Sequence, residues 1–104
     1  MRMWNIDPKL LCRQHLLGEH LETHMFLGCI RNKTSLRGYI DKGLLEVHNI
    51  IKRHDELVKE MERRDYFHKS PLYGEEVLWC EGNICIEKSI QDLRNRCSDC
   101  QKRL

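Results

Sequence analysis

The residues best suited to chemistry lie in one stretch near the start of the chain, residues 14–22. A helix turns by about 100° per residue, so His15, Glu19 and Glu22 would fall on one face at positions i, i+4 and i+7. An imidazole beside carboxylates can move protons and stabilise a developing positive charge. The same pattern is also typical of a surface helix with a solvated polar face, and that interpretation stays open.

The same predicted helix carries a pair of histidines. His20 and His24 are spaced i, i+4, so their rings could hold one metal ion between them. With a carboxylate, this pair would make the protein a metal-dependent hydrolase. The surrounding sequence is not His-Glu-x-x-His and no third ligand is evident, so packing and DNA contact are the alternatives.

Cysteines are concentrated in the last third of the chain. Cys80 and Cys85 form a Cys-x4-Cys pair, and after eleven residues Cys97 and Cys100 form a Cys-x2-Cys pair. Two close pairs of thiolates can bind a structural zinc ion, which adds folding energy to a small domain. The looser first pair leaves unpaired or packed cysteines as the alternative.

Helices must position these side chains. The apolar periodicity predicts helices at about residues 8–30, 41–65 and 85–104, and Asp7-Pro8 is a favourable N-terminus for the first. Residues 1–7 are predicted to be extended and to lie across the active face. The predicted fold is therefore all-α, with three principal helices around one small core in a single domain, residues 1–104.

Composition restricts the class of protein. The 104 residues carry a net charge of +2, with 33% charged and 7% aromatic residues, so any DNA contact must come from a local patch. No apolar run approaches the ~20 residues of a membrane span, and the N-terminus lacks the apolar core of a signal peptide. We expect a soluble, cytoplasmic monomer whose six cysteines are reduced thiols or metal ligands.

Two blocks of sequence resemble a known family. Met-Arg-Met-Trp-Asn-Ile-Asp-Pro-Lys-Leu-Leu-Cys-Arg-Gln-His-Leu-Leu-Gly-Glu-His, residues 1–20, is similar to the start of the pyrimidine-dimer DNA glycosylases, and in particular to their cellular branch. A charged helix followed by His-Lys-Ser-Pro-Leu, residues 68–72, resembles a second block of that branch. The resemblance covers about residues 1–72, whereas residues 73–104 resemble no family.

The resemblance implies a DNA repair enzyme: a glycosylase with coupled abasic-site lyase activity on damaged double-stranded DNA, with UV pyrimidine dimers as the expected lesion. The family nucleophile, an N-terminal α-amine, falls on Met1, and the catalytic glutamate falls on Glu22. Arg2 and His15 match family residues close to the sugar and phosphates. An α-amine is less basic than a lysine side chain, so part of it is neutral near physiological pH and can form a Schiff base. This chemistry requires no metal cofactor.

Two basic segments are expected to add DNA contacts. Arg31, Lys33 and Arg37 lie in the connector after the first predicted helix and could bind phosphates, although a solvated loop is equally consistent with them. His68 and Lys69 belong to the second family block, and we expect them at the DNA groove or the active site.

Leu21 and Met25 depart from the family pattern, because the phage member of the family has arginines at these positions. The resemblance therefore leaves open whether the substrate is a cyclobutane dimer, another damaged base or an abasic site. The alternative function is a non-catalytic DNA-binding or protein-interaction module stabilised by zinc at the four late cysteines.

Overall fold

The architecture is all-α. The computed structural model describes residues 1–68, 72 and 78–104, and these residues form helices and no strand. The helices are α1 (Arg13–Arg31), α2 (Arg37–Asp41), α3 (Ile50–Arg63), α4 (Ile86–Arg96) and α5 (Ser98–Gln101), with 3-10 turns at Pro8–Leu10 and Val47–Asn49. None of these helices is both long and apolar enough to cross a bilayer. Since α1, α3 and α4 are the long helices, the predicted fold class is confirmed.

The pairing of α1 with α3 organises the core. A first hydrophobic cluster contains Leu16 of α1, Leu57 of α3 and Leu93 of α4, and a second contains Phe26 of α1 and Ile50 of α3. Each of these side chains is fully buried. Burial of one such side chain stabilises the fold by roughly 1.5–3 kcal/mol, so the first cluster is what holds α4 against the α1–α3 pair.

The N-terminal segment is extended and threads through both clusters. Met3 packs in the second cluster, and Trp4 and Ile6 pack in the first. The Met3 amide also donates a hydrogen bond to the Leu44 carbonyl oxygen at 2.8 Å. Because buried contacts hold residues 3 to 6, the two residues before them have a defined position.

A buried ion pair connects this segment to the long helices. The Arg53 guanidinium on α3 donates to both carboxylate oxygens of Glu19 on α1, at 2.6 and 2.9 Å. Its Nη1 also donates to the Ile6 carbonyl oxygen at 2.6 Å. Both side chains are almost fully buried, so this pair locks α1, α3 and the N-terminal segment together.

The first predicted helix is interrupted at residues 11–12. Asp7 does cap a helical turn, since its Oδ1 accepts from the Lys9 amide at 3.0 Å, but the turn ends after Pro8–Leu10. Cys12 is extended and its amide donates to the Cys100 sulfur at 3.3 Å, while the Leu11 carbonyl oxygen accepts from Arg64 at 2.8 Å. Tertiary hydrogen bonds therefore take the backbone groups that a continuous helix would use.

The second and third predicted helices are also divided. Gly43 follows α2 with a φ of +70°, and residues 42–46 separate α2 from the 3-10 turn that leads into α3. The buried Glu46 carboxylate accepts hydrogen bonds from Asn49 at 2.7 Å and from the Ile84 amide at 2.8 Å, so this connection is anchored by side-chain contacts. Near the C-terminus, extended Cys97 separates α4 from α5.

Candidate functional site

A wide cleft, with a volume of about 1160 Å³, lies beside the N-terminal segment. Its walls come from that segment, from α1, from the turn after α2 and from α4. The predicted catalytic residues Met1 and Glu22 both line it, as do Arg2 and His15. The structure therefore brings together, at one cleft, the four residues expected closest to the reacting sugar.

The Glu22 carboxylate is bound next to the first residue of the chain. Its Oε2 accepts a hydrogen bond from the Arg2 amide at 3.2 Å. Met1 is half-buried, and its side chain packs against the second hydrophobic cluster. A carboxylate one residue from an α-amine can stabilise positive charge on that nitrogen and exchange protons with it.

The Arg2 side chain is held by the protein. Its guanidinium pairs with Asp92 at 3.1 Å, donates to the Ser89 hydroxyl at 3.5 Å and stacks over Trp4 at 3.8 Å from the ring centroid. Only 12% of the side chain is exposed. Arg2 thus ties the N-terminal segment to α4, and a DNA phosphate would have to compete with Asp92 for it.

The cleft is also lined by three cations that the sequence interpretation did not single out: Lys42, Lys88 and Arg96. Positive groups at a cleft of this width can bind phosphates on either side of a nucleotide. Part of this was readable from the sequence, because Lys88, Asp92 and Arg96 are spaced i, i+4 and i+8 and so share one face of α4.

The predicted zinc ligands are only partly brought together. Cys97 and Cys100 lie in one group with Cys12 and His15, and the ligand atoms of all four are within 4.8 Å of one another. Cys80 and Cys85 are exposed and belong to neither group of ligand atoms found in the described part of the chain. The correction has a geometric reason: α4 and α5 pack near the start of α1 in the first hydrophobic cluster, so Cys97 and Cys100 meet Cys12 and His15.

Distances in this Cys3His group match those of a tetrahedral zinc site. The sulfurs of Cys12 and Cys97 are 3.8 Å apart, and His15 Nδ1 is 3.2 Å from Cys12 and 3.5 Å from Cys100. Zinc–ligand bonds of about 2.3 Å to sulfur and about 2.0–2.1 Å to nitrogen give tetrahedral separations of about 3.8 Å between sulfurs and about 3.6 Å from sulfur to nitrogen. The residues present therefore fit a zinc ion.

Burial and hydrogen bonding shift the pKa values of three of these ligands. Burial lowers the pKa of His15, so its ring is neutral near pH 7, the form that binds a metal. The hydrogen bond from the Cys100 amide lowers the pKa of Cys97, whereas burial raises that of Cys100 to about 12. The rings of Trp4 and His15 pack edge to face with 5.7 Å between centroids, and His15 is the member of the group that lines the cleft.

A second group of possible ligands lies outside the cleft. It consists of His20 and His24, which the sequence had paired, together with His54 and His68. Burial and the three neighbouring imidazoles lower the pKa of His20 to about 4, so this ring is neutral near pH 7. Sequence reasoning missed His54 and His68 as partners, because they lie 34 and 48 residues beyond His20.

The other predicted DNA contacts are spread over the surface. Arg31 and Lys33 are exposed at the end of α1. Arg37 forms ion pairs with Asp41 at 3.4 Å and with Glu81 at 2.7 Å, so two carboxylates already neutralise it.

Two predicted DNA contacts come from the second family block. His68 Nε2 is 2.9 Å from His20 Nε2, so this side chain belongs to the histidine group. Lys69 lies outside the described residues.

Comparison with known proteins assigns the family. A family model described as pyrimidine dimer DNA glycosylase matches residues 1–74 of the chain. No curated protein and no solved structure gives a significant match. The matched part includes the N-terminal segment and α1 to α3, and thus every wall of the cleft except that formed by residues 83–96. The match confirms the resemblance seen at residues 1–72, and the chain belongs to the pyrimidine dimer DNA glycosylase family.

Proposed function

We propose that the protein is a DNA N-glycosylase with a coupled abasic-site lyase activity, and that it acts on UV pyrimidine dimers through a Schiff base on the Met1 α-amine. Family membership implies a DNA glycosylase with DNA as substrate. The lyase step, the N-terminal amine and the dimer are the proposal.

The observation that carries this proposal is the hydrogen bond from the Arg2 amide to Glu22 at 3.2 Å. This bond holds the carboxylate at the backbone of Arg2, one residue from the Met1 α-amine, at the wall of a cleft large enough for an extruded nucleotide. The buried Met3 contacts limit movement of the amine, so the reacting groups need little reorganisation.

The reaction follows from these two groups. The neutral Met1 amine attacks C1′ of the damaged nucleotide, the bond from C1′ to the base breaks, and the sugar ring opens to a protonated Schiff base. The negative charge of Glu22 stabilises this cation. Removal of a proton from C2′ then expels the 3′ phosphate by β-elimination, and Glu22 assists that proton transfer. Hydrolysis of the imine returns the free amine.

Cleft cations complete the site in this proposal. Lys42, Lys88 and Arg96 bind phosphates flanking the extruded nucleotide, while Arg2, held by its ion pair with Asp92 of α4, orients the sugar. The exposed side chain of Leu21, next to Glu22, offers an apolar surface where the phage member has a cation. Contact with the face of a base is the interaction that such a surface favours.

Borohydride trapping tests the imine directly. The protein is incubated with duplex DNA holding one abasic site or one thymine dimer, and reduction converts any Schiff base into a stable covalent adduct. Protein beginning at Met1 should form the adduct on both substrates, and the same chain with one extra N-terminal residue should form almost none. Glu22→Gln should lower adduct formation and strand cleavage by about 10²-fold or more, while Glu62→Gln, at an exposed position on α3, should behave as wild type.

Each part of this experiment has a result that would contradict the proposal. Equal trapping by the extended chain would show that another amine reacts. An adduct with abasic DNA alone would leave a lyase without the dimer glycosylase step. Absence of any adduct from folded protein that binds the duplex would favour a non-catalytic module.

The second candidate function is a DNA-binding or protein-interaction module stabilised by zinc. The Cys3His group favours it, because its spacing matches a tetrahedral site. We also propose this structural zinc for the enzyme: held by Cys12, His15, Cys97 and Cys100, it would tie α4 and α5 to the start of α1 and so keep the cleft wall in place. The zinc takes no part in the imine chemistry, so zinc binding without trapping would distinguish the module from the enzyme.

A further inference from the structure

Four histidines from three separate parts of the chain converge on one point. His20 and His24 are one turn apart on α1, His54 comes from α3, and His68 comes from the segment that follows α3. One nitrogen from each ring lies within 4.8 Å of the others. None of the four lines the cleft, so the proposed DNA chemistry does not account for them.

We propose that these four imidazoles form a second metal site, which binds a divalent first-row transition ion, with Zn²⁺ as the resident metal. Imidazole nitrogen is a good ligand for zinc, copper and nickel. Four protein ligands leave no open coordination position, so the ion is structural. It cross-links the segment at His68 to the α1–α3 pair, and it is independent of the proposed glycosylase activity.

The ring arrangement supports a common ligand centre. Centroids of the neighbouring rings are 4.8 to 5.5 Å apart, and most pairs meet edge to face. The Nε2 atoms of His20 and His68 are only 2.9 Å apart. Four nitrogens around a tetrahedral zinc ion are about 3.3–3.4 Å apart, so this pair would open by a few tenths of an ångström. These two nitrogens are within hydrogen-bond distance of each other, and a metal ion bound by both would replace that hydrogen bond.

A carboxylate orients one of the ligands. Asp55 Oδ1 lies 3.0 Å from His54 Nδ1. When His54 Nδ1–H donates a hydrogen bond to this carboxylate, the proton stays on Nδ1. This is the tautomer in which Nε2 carries the lone pair that can bind a metal. Metal-binding histidines commonly have such a partner on the other ring nitrogen. Asp55 is itself mostly exposed, so it is accessible to mutation without loss of core packing.

Metal stoichiometry is the first test. Wild-type protein loaded with Zn²⁺ and freed of excess metal should contain two equivalents per chain by elemental analysis and native mass spectrometry. His68→Asn and His24→Asn should each contain one, and His48→Asn, at an exposed position outside both groups, should keep two. Cys97→Ser should retain the histidine-site equivalent.

Cobalt substitution distinguishes the two sites and reports on folding. Co²⁺ bound to the Cys3His group gives thiolate-to-metal charge-transfer absorption, whereas Co²⁺ bound to four imidazoles gives only ligand-field bands. The His68→Asn protein should keep the charge-transfer band, which shows that the fold is intact, and lose affinity for the second ion by more than about 100-fold. Asp55→Asn should lower that affinity by about 10- to 100-fold.

Two results would overturn the inference. One is that the wild-type protein binds a single equivalent of Zn²⁺ and that Cys97→Ser loses this equivalent. The other is a second equivalent that persists unchanged in both histidine variants. In either case the four rings are a packed group of imidazoles without a metal function.

Discussion

Replacement of Arg53 by methionine removes the main polar link between the N-terminal segment and the two longest helices. In the wild-type protein the guanidinium donates at 2.6 and 2.9 Å to Glu19 and at 2.6 Å to the Ile6 carbonyl oxygen. The Arg53 side chain is 2% exposed and that of Glu19 is 0% exposed. Methionine fills a similar volume, so the change leaves a buried carboxylate without its counter-charge.

The expected loss of stability is about 3–5 kcal/mol, the usual cost of removing one partner of a buried ion pair. A domain of this size has a free energy of unfolding of about 5–15 kcal/mol, so the loss is a large part of the total. The melting temperature should fall by at least about 12 °C, at about 4 °C or more per kcal/mol. Removal of both charges in Glu19→Met/Arg53→Met should recover much of this loss and leave mainly the unpaired Ile6 carbonyl, about 1–3 kcal/mol.

Urea unfolding followed by circular dichroism measures these values, and Lys59→Met, an exposed position on the same helix, is the control. The control should change the free energy of unfolding by less than about 0.5 kcal/mol. A loss below about 1 kcal/mol in Arg53→Met would refute the reasoning. So would a double variant as unstable as the sum of the two single variants, because the pair would then not be coupled.

Three further changes test other parts of the structure. Hydrogen bonds from two arginines, Arg63 above all, lower the pKa of Glu60 to about 2. This stabilisation is complete above about pH 4.5 and is lost as the pH falls towards 2, so Glu60→Gln should cost about 1–2 kcal/mol at pH 7 and progressively less in acid unfolding below pH 4.5. Gly82→Ala should cost at least about 2 kcal/mol in urea unfolding, because φ is +96° and the new Cβ would lie 2.0 Å from the Leu45 carbonyl oxygen. Cys100→Ser should remove the zinc equivalent of the Cys3His group in elemental analysis and lower the melting temperature.

Each of these changes has a matched control. Glu62→Gln should leave the acid unfolding profile unchanged, since Glu62 is exposed. Gly38→Ala meets nothing within 4 Å and should be neutral or stabilising, so a similar loss at both glycines would contradict the steric argument. Cys80→Ser should keep the full zinc content. A loss of zinc in this variant would instead support the site predicted from the sequence, with Cys80, Cys85, Cys97 and Cys100 as ligands.

Local signals in the sequence account for the fold class. The apolar spacing along residues 13–31 and 50–63 matches the observed helices α1 and α3, because helical periodicity depends on neighbours a few residues away. The residues at which the helices begin and end could not be predicted from this local spacing. Cys12 is extended because its amide bonds to Cys100, 88 residues further along the chain, and no local rule contains that contact.

The candidate site, like the fold, could be predicted from the sequence only in part. The sequence predicts Met1 and Glu22 as the catalytic pair, since the family resemblance depends on residue types at fixed positions near the start of the chain, and the structure brings both to one cleft. The sequence alone also determined that Cys97 and Cys100 would be neighbours, because a short spacing within one turn keeps two side chains close. Only the tertiary structure decided their partners. Packing of α4 and α5 against α1 in the first hydrophobic cluster joins them to Cys12 and His15, and packing of α3 on α1 brings His54 to His20 and His24. Contacts between such distant segments depend on how helices pack and not on spacing along the chain.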